Sequence, residues 1–238
     1  MTDGKGKEKR VYNVFQRISS CYDPMNDIIT LGVHRLWKKR LIRSIPVESK
    51  DILDVCCGTG DIAMGMGKHL KTSQIAALDF SSAMLQVAER RAQAAHLKNI
   101  KFILGDALNL PFRDNTFDSV TISFGIRNTS DYKRVLEEIQ RVMKPGGHFF
   151  CMEASYPESR ILRGILSAYC RSIVPLLGKF LARSYGEYTW LNESVADFIS
   201  KEELTGLIEE AGFIRVKLRT FLFGSCTLHS GIKGGRCE

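Results

Sequence analysis

Residues 54–61, Asp54-Val55-Cys56-Cys57-Gly58-Thr59-Gly60-Asp61, follow a short apolar run that begins at Asp51 and lead straight into an apolar segment with helical spacing, Ile62 to Leu70. A strand that turns through glycines into a helix lets the backbone approach a ligand closely, here at Gly58, and leaves free N–H groups at the helix start. Taken alone the loop is ambiguous, because Gly58-x-Gly60-x-x-Ala63 also satisfies the dinucleotide pattern G-x-G-x-x-G/A.

The segments on either side supply the fold. Ile75–Asp79 is a second short apolar run, and Ser81 or Ser82 then opens a helix predicted over Ala83–Ala95. Ile100–Leu104 and Phe117–Phe124 read as third and fourth strands, and His148–Glu153 as a fifth. A helix from about Asp131 to Met143 is expected to stop at Lys144-Pro145-Gly146-Gly147. Ile161–Leu181 reads as a helix broken near Pro175, and Lys201–Ala211 as a helix ended by Gly212. Ile214–Thr220 and Phe221–Lys233 look like two tightly joined strands. Strands alternating with helices give an α/β fold: a parallel sheet with helices on both faces. The pattern shows neither repeat nor linker, so 1–238 is expected to be one domain. Residues 1–45 form an N-terminal helical cap, and 46–238 form the core with an inserted helical region at about 157–200.

Composition narrows the class. With 238 residues, 44% hydrophobic and 25% charged, the chain has the make-up of a globular domain and not of a disordered one. Arg163, Arg171 and Lys179 interrupt the richest apolar stretch, which therefore does not read as a membrane span. The start, MTDGKGKEKR, lacks the apolar segment of a secretory signal, so a cytoplasmic location is expected. Seven cysteines, an odd number with no C-x-x-C pair, argue for reduced thiols and against a disulfide framework or a zinc site. No metal is expected.

The formal charge of +8 is concentrated at one end. Residues 1–50 carry 11 Lys/Arg against 5 Asp/Glu, and residues 51–238 carry 23 against 21. A core this close to neutral argues against a nucleic-acid substrate. In His34-Arg35-Leu36-Trp37-Lys38-Lys39-Arg40 cations interleave with apolar residues, as in a helix lying on a membrane surface.

In a parallel sheet the carboxyl ends of the strands converge on one crevice, where ligands bind. Asp79 ends the second strand, where an acid can accept from both ribose hydroxyls. Gly105-Asp106-Ala107 ends the third strand, and Ser123 lies near the end of the fourth. A carboxylate on the third strand suits an adenine amino group. Asp54, just before the glycines, would repel a pyrophosphate and welcome a cation. These residues point to a nucleoside bearing positive charge, S-adenosyl-L-methionine. An NAD-dependent oxidoreductase is the alternative enzyme, supported only by the glycine pattern.

The same chain resembles, over nearly its whole length, the menaquinone/ubiquinone biosynthesis C-methyltransferase family. The N-terminal signature runs from Tyr22-Asp23-Pro24-Met25-Asn26-Asp27-Ile28-Ile29-Thr30 through His34 and Trp37, with Thr30 where Ser is usual. The second runs from Arg141-Val142-Met143-Lys144-Pro145-Gly146-Gly147 through Glu153 and Ser155. Ser123-Phe124-Gly125-Ile126-Arg127-Asn128 is a further hallmark, and Gly224, His229, Gly231 and Lys233 fit the C-terminal pattern. Cys56-Cys57 departs from the family's Ala-Gly.

The resemblance implies a Rossmann-like class I methyltransferase with a mostly parallel seven-stranded sheet whose last strand is antiparallel. Thr59, Asp79, Asp106, Ala107 and Ser123 carry over as donor-binding positions beside Gly58. The implied acceptor is a lipophilic prenylated quinol methylated on a ring carbon. No residue discriminates a naphthoquinol from a benzoquinol, with demethylmenaquinol favoured. Arg127 is expected to stabilise the quinolate and Asn128 to orient it, and a general base would be Asp23, Tyr22 or His229. The tail would lie along Ile161, Leu162, Ile165, Leu166, Tyr169 and Ile173, with the basic N-terminal segment against the membrane.

Overall fold

The computed structural model describes residues 4–181 and 185–235. Seven strands form one sheet in the order β3-β2-β1-β4-β5-β7-β6. They are β1 (Asp51–Val55), β2 (Gln74–Asp79), β3 (Ile100–Leu104), β4 (Phe117–Ser123), β5 (Met143–Ala154), β6 (Phe213–Phe221) and β7 (Cys226–Lys233). Strands β1 to β5 pair in parallel. β7 is wedged between β5 and β6 and runs antiparallel to both. The mostly parallel sheet with an antiparallel last strand is thus the observed one.

Helices α4 (Asp61–His69), α5 (Ser82–Ala94), α6 (Tyr132–Val142) and α10 (Lys201–Glu210) cover the sheet. Polar side chains start three of them. Ser81 Oγ accepts from the Met84 N–H, Asp131 Oδ1 accepts from the Arg134 N–H, and Ser200 with Glu203 closes a reciprocal capping box. On one face Val135, Leu136, Ile139, Leu204 and Ile208 pack with Val120 and Phe149. On the other, Leu41, Ile45, Ile62 and Met66 pack with Ile52 and Ile75. Strands covered on both faces read as near-continuous apolar runs, which is why they were legible.

The N-terminal segment folds as α1 (Gly4–Ile18), α2 (Tyr22–Thr30) and α3 (Val33–Ser44), the expected cap. The inserted region is α7 (Arg160–Ala168), a π-helical turn at Tyr169–Ile173, α8 (Val174–Leu181) and α9 (Tyr185–Ala196). Val11, Val14, Ile18 and Met25 of the cap bury against Val174 and Trp190 of the insert, forming a third apolar cluster.

Two expectations are corrected. Pro175 does not break its helix. The backbone stays helical on both sides of it, and the irregularity is the π turn at Tyr169–Ile173 just before it. Likewise α6 hands over to β5 directly at Met143, and Lys144–Gly147 lies inside the strand as a shift in register against β4.

The glycine loop after β1 is held by three consecutive-alternate left-handed residues, Cys56 (φ 56°), Gly58 (φ 55°) and Gly60 (φ 82°). Cys56 adopts a conformation that costs a residue with a Cβ about 1–2 kcal/mol. Cys57 is not strained in this way and turns its side chain into the α3–α4 face of the core. Gly125, after β4, lies so close that a Cβ there would meet Cys56 Cβ at 2.5 Å. Gly125→Ala should therefore destabilise the protein by about 1–3 kcal/mol in urea unfolding. In a Cys56→Gly background, where clash and strain both vanish, the same change should cost less than about 1 kcal/mol. Equal costs in the two backgrounds would contradict this contact.

Candidate active site

The chain crosses from β3 at one edge to β4 beside β1, so the sheet's topology switches between β1 and β4. A cavity of about 360 Å³ opens there. Gly58, Asp79, Asp106, Ala107, Ser123 and Asn128 all line it, from four different strand ends. Asp79 is 5% exposed; its Oδ2 accepts from the Gly58 N–H at 2.8 Å and its Oδ1 from the Ser81 N–H at 2.9 Å. Burial pushes its carboxyl up to about 6, against the pull of these backbone donors. Asp106 Oδ1 accepts from the Leu108 N–H at 2.9 Å, which fixes the loop after β3. Two buried atoms of the wall, Ser123 Oγ and Asn128 Oδ1, have no hydrogen-bond partner among the described residues. Buried polar atoms left this way are costly unless a ligand completes them.

The cap closes the cavity, which sequence reading did not foresee. Tyr12 and Phe15 of α1 line it with Phe80, the residue after Asp79, and stack edge-on against that ring with centroids 5.8 and 6.3 Å apart. The only sequence signal was the position of Phe80 at a strand end.

A second cavity, of about 490 Å³, is mainly apolar and lies between the cap and the insert. Ile29, Trp37, Leu166, Tyr169, Val174 and Leu222 contribute to its wall, with Arg127 as its buried cation. Among the described residues only Tyr22 and Phe124 line both cavities. Of the stripe expected to carry a tail, Leu166 and Tyr169 face this cavity, whereas Ile161 and Ile165 are exposed.

The remaining expected residues fall as follows. Arg127 is 7% exposed and its Nη1 lies 2.6 Å from Glu153 Oε2. Burial pushes the Glu153 carboxyl up, and the guanidinium pulls it back. Glu153, at the end of β5, belongs to the second signature, and nothing in its spacing there marks it as a site residue. Asn128 lines the carboxylate cavity and donates through Nδ2 to the Phe124 carbonyl at 3.3 Å.

Thr59 is not in the wall of either cavity. Its Oγ1 donates to Asp23 Oδ1 at 2.6 Å, and Asp23 also accepts from Arg91 Nη1 at 2.6 Å. Burial nonetheless pushes the Asp23 carboxyl up, opposed first by the Thr59 hydroxyl. Asp54, expected to meet a cation directly, instead accepts from Thr121 Oγ1 at 2.7 Å beneath the loop. Burial raises it to about 7. His229 is buried between strands and bonds the Lys201 carbonyl at 3.0 Å.

Carboxylates at successive strand ends around a glycine loop, on this sheet, define a Rossmann-like methyltransferase of class I. The same fold occurs in a possible histamine N-methyltransferase from Thermotoga maritima, TM-score 0.65, 20% identity, covering 94% of this chain and 99% of that one. It occurs too in a putative O-methyltransferase from Nostoc punctiforme, TM-score 0.68, 15% identity, covering 92% and 60%. The chain belongs to the ubiE/COQ5 methyltransferase family, whose model matches residues 3–233. It is 42% identical over 235 residues to the demethylmenaquinone methyltransferase of Staphylococcus aureus strain JH9, covering 98% of this chain and 97% of that protein, and equally to that of strain Newman. Family membership retires the oxidoreductase alternative.

Arg127 and Glu153 form a buried pair, and removing one partner strands the other. Arg127→Ala should lower stability by about 3–5 kcal/mol in chemical denaturation, and Arg127→Met with Glu153→Leu should recover most of it. An unchanged midpoint in the single variant would show that the pair is not buried together.

Proposed function

We propose that the protein transfers a methyl group from S-adenosyl-L-methionine to a ring carbon of a prenylated quinol, demethylmenaquinol in particular, giving menaquinol. A 2-polyprenyl-6-methoxy-benzoquinol is the variant acceptor. The observation that carries the reading is a pair of cavities of opposite chemistry sharing one wall. One is lined by Asp79, Asp106 and two unpartnered polar atoms, and the other is mainly apolar, with the buried Arg127 and the largely buried Lys38 in its wall. The named relative in Staphylococcus aureus supports the choice of quinol.

The donor supplies an electrophilic methyl on a sulfonium. Asp79 would accept from the ribose hydroxyls, Asp106 from the adenine amino group, and Asn128 Oδ1 from the donor's ammonium. In the apolar cavity Arg127, steadied by Glu153, would hold the ionised quinol hydroxyl that makes the ring carbon nucleophilic. That carbon forms a bond to the methyl carbon as the bond to sulfur breaks, its electron pair leaving sulfur neutral. The methylated carbon then passes its proton to a general base, and the C–H electron pair restores the aromatic ring. Of Asp23, Tyr22 and His229, Tyr22 alone lines either cavity.

An ionised Asp79 is the form that accepts two hydroxyls, so the sign of the pH effect is set. Donor affinity should be constant above about pH 7 and fall as pH drops through about 6, reaching roughly tenfold weaker at pH 5. Calorimetric titration tests this, with NADH as the control ligand. Asp79→Asn should weaken binding and flatten the profile. Binding of NADH in place of the donor would contradict the reading.

A lipid acceptor also calls for a surface contact. No helix among the described residues is long and apolar enough to cross a membrane. Three cations of α1 are engaged at home: Lys7 donates to the carbonyls of Arg127 and Thr129, and Arg10 and Arg17 pair with Glu193 and Glu187. Support for a membrane contact lies instead at the mouth of the apolar cavity. There Leu31 and Leu222 are lining residues, 86% and 53% exposed, and Phe223 is 76% exposed in a left-handed turn. Lys39, Arg40 and Arg43 of α3 have no ion pair among the described residues. We infer a cytoplasmic enzyme that rests on the inner face of the membrane. Co-sedimentation with vesicles should require anionic lipid and fall at least several-fold in Leu31→Ser/Phe223→Ser. Lipid-independent sedimentation would contradict it.

A further inference from the structure

The two cavities meet at a septum of two rings, Tyr22 from α2 and Phe124 from the end of β4. Phe124 holds φ at 55°, a left-handed conformation that is uncommon for a bulky residue and marks a position under constraint. The constraint is visible on both sides of it. Its N–H donates to the Met152 carbonyl at 2.8 Å, and its carbonyl accepts from Asn128 Nδ2 at 3.3 Å. Gly125, the next residue, has no Cβ and so lets this turn close onto Cys56. Tyr22 is placed as firmly. Phe15 packs edge-on against its ring at 6.0 Å, and its neighbour Asp23 is tied to Thr59 and Arg91. The face of Phe124 already carries one cation, the Arg127 guanidinium, at 5.8 Å from the ring centroid.

We propose that Tyr22 and Phe124 form an aromatic cradle for the donor's sulfonium, recognising its positive charge and aiming its methyl through the septum at the acceptor. This rests on the functional reading above and deepens it. Asp79 and Asp106 anchor the nucleoside from the far side of the cavity, which leaves the septum as the wall between the reacting groups. A ring face attracts a cation through its quadrupole, and does so more strongly where water is excluded. Tyr22 and Phe124 are both half-buried, which shields this wall from bulk water in part. Once the methyl has left, the sulfur is neutral and the attraction is gone, so the cradle distinguishes substrate from product.

That difference gives a test that packing alone would not pass. S-adenosylmethionine and S-adenosylhomocysteine differ by the methyl and the charge. Their dissociation constants are measured by calorimetry for the wild type, Tyr22→Leu, Phe124→Leu and Tyr22→Phe. The leucine variants should bind the sulfonium ligand about tenfold more weakly while the thioether stays within about twofold, as expected for a lost, desolvated cation–ring contact. Tyr22→Phe keeps the ring and should retain the wild-type ratio. Parallel losses for both ligands, or an unchanged ratio in both leucine variants, would overturn the cradle while leaving the methyltransferase reading intact. Failure of the wild type to bind either ligand would overturn that reading and the cradle with it.

Discussion

The arrangement of the two cavities depends on one guanidinium. Arg91 of α5 donates to Asp23 of the cap, to Asp61 at the start of α4 and to the carbonyl of Thr59 in the glycine loop, at 2.6, 2.6 and 2.8 Å. Lys38 of α3 completes the set with a bond to Asp61 at 2.8 Å. Burial alone would raise the Asp61 carboxyl, and the two cations more than reverse it, leaving it at about 2. Two helices of the cap are thereby fixed to the loop and to the helix it feeds. Single exposed pairs of this kind contribute little, but a half-buried network with planar, forked geometry holds its members in one arrangement. Because Tyr22 precedes Asp23 directly, the clamp also sets the septum.

The residues of the N-terminal signature take on a physical meaning in this light. Asp23 reads from sequence as a candidate base, and Asp27 stands beside it in the same signature. In the structure Asp23 serves the clamp, and Asp27 pairs with Arg35 of the next helix. A short sequence motif dense in acids and aromatics does not say which of its members face a ligand. That depends on which side chains the cap turns toward the sheet, a tertiary matter that spacing along one short helix cannot fix. The same holds for Thr59, whose place beside the cavity-lining Gly58 does not foretell that its hydroxyl turns to Asp23.

What was legible was whatever repeats along the backbone. Strands β1, β2 and β4, largely buried, and the apolar edge strand β3 announced themselves as short apolar runs, and the carboxylates at strand ends had to converge because parallel strands share a carboxyl edge. Asp79, Asp106 and Ser123 lie together for that reason. The sequence was silent where long-range packing decides: the closure of α1 over the cavity, the π turn at Tyr169, and which acid Arg127 pairs with. The fate of Arg127 is instructive. A buried arginine could have served only to neutralise a strand-end acid, yet it does so in the wall of the apolar cavity, where a carboxylate-held guanidinium is also oriented for a ligand oxygen.

The central claim is transfer of methyl to carbon, and its most direct test is the position of the label in the product. Purified protein is incubated with isotopically methyl-labelled S-adenosylmethionine and a prenylated, ring-demethylated naphthoquinol kept reduced, and the extracted lipid is read by NMR. The account predicts one labelled methyl bonded to a ring carbon, and its loss when the acceptor is held in the oxidised quinone form. Label on a hydroxyl oxygen, or no transfer while the donor binds normally, would contradict it.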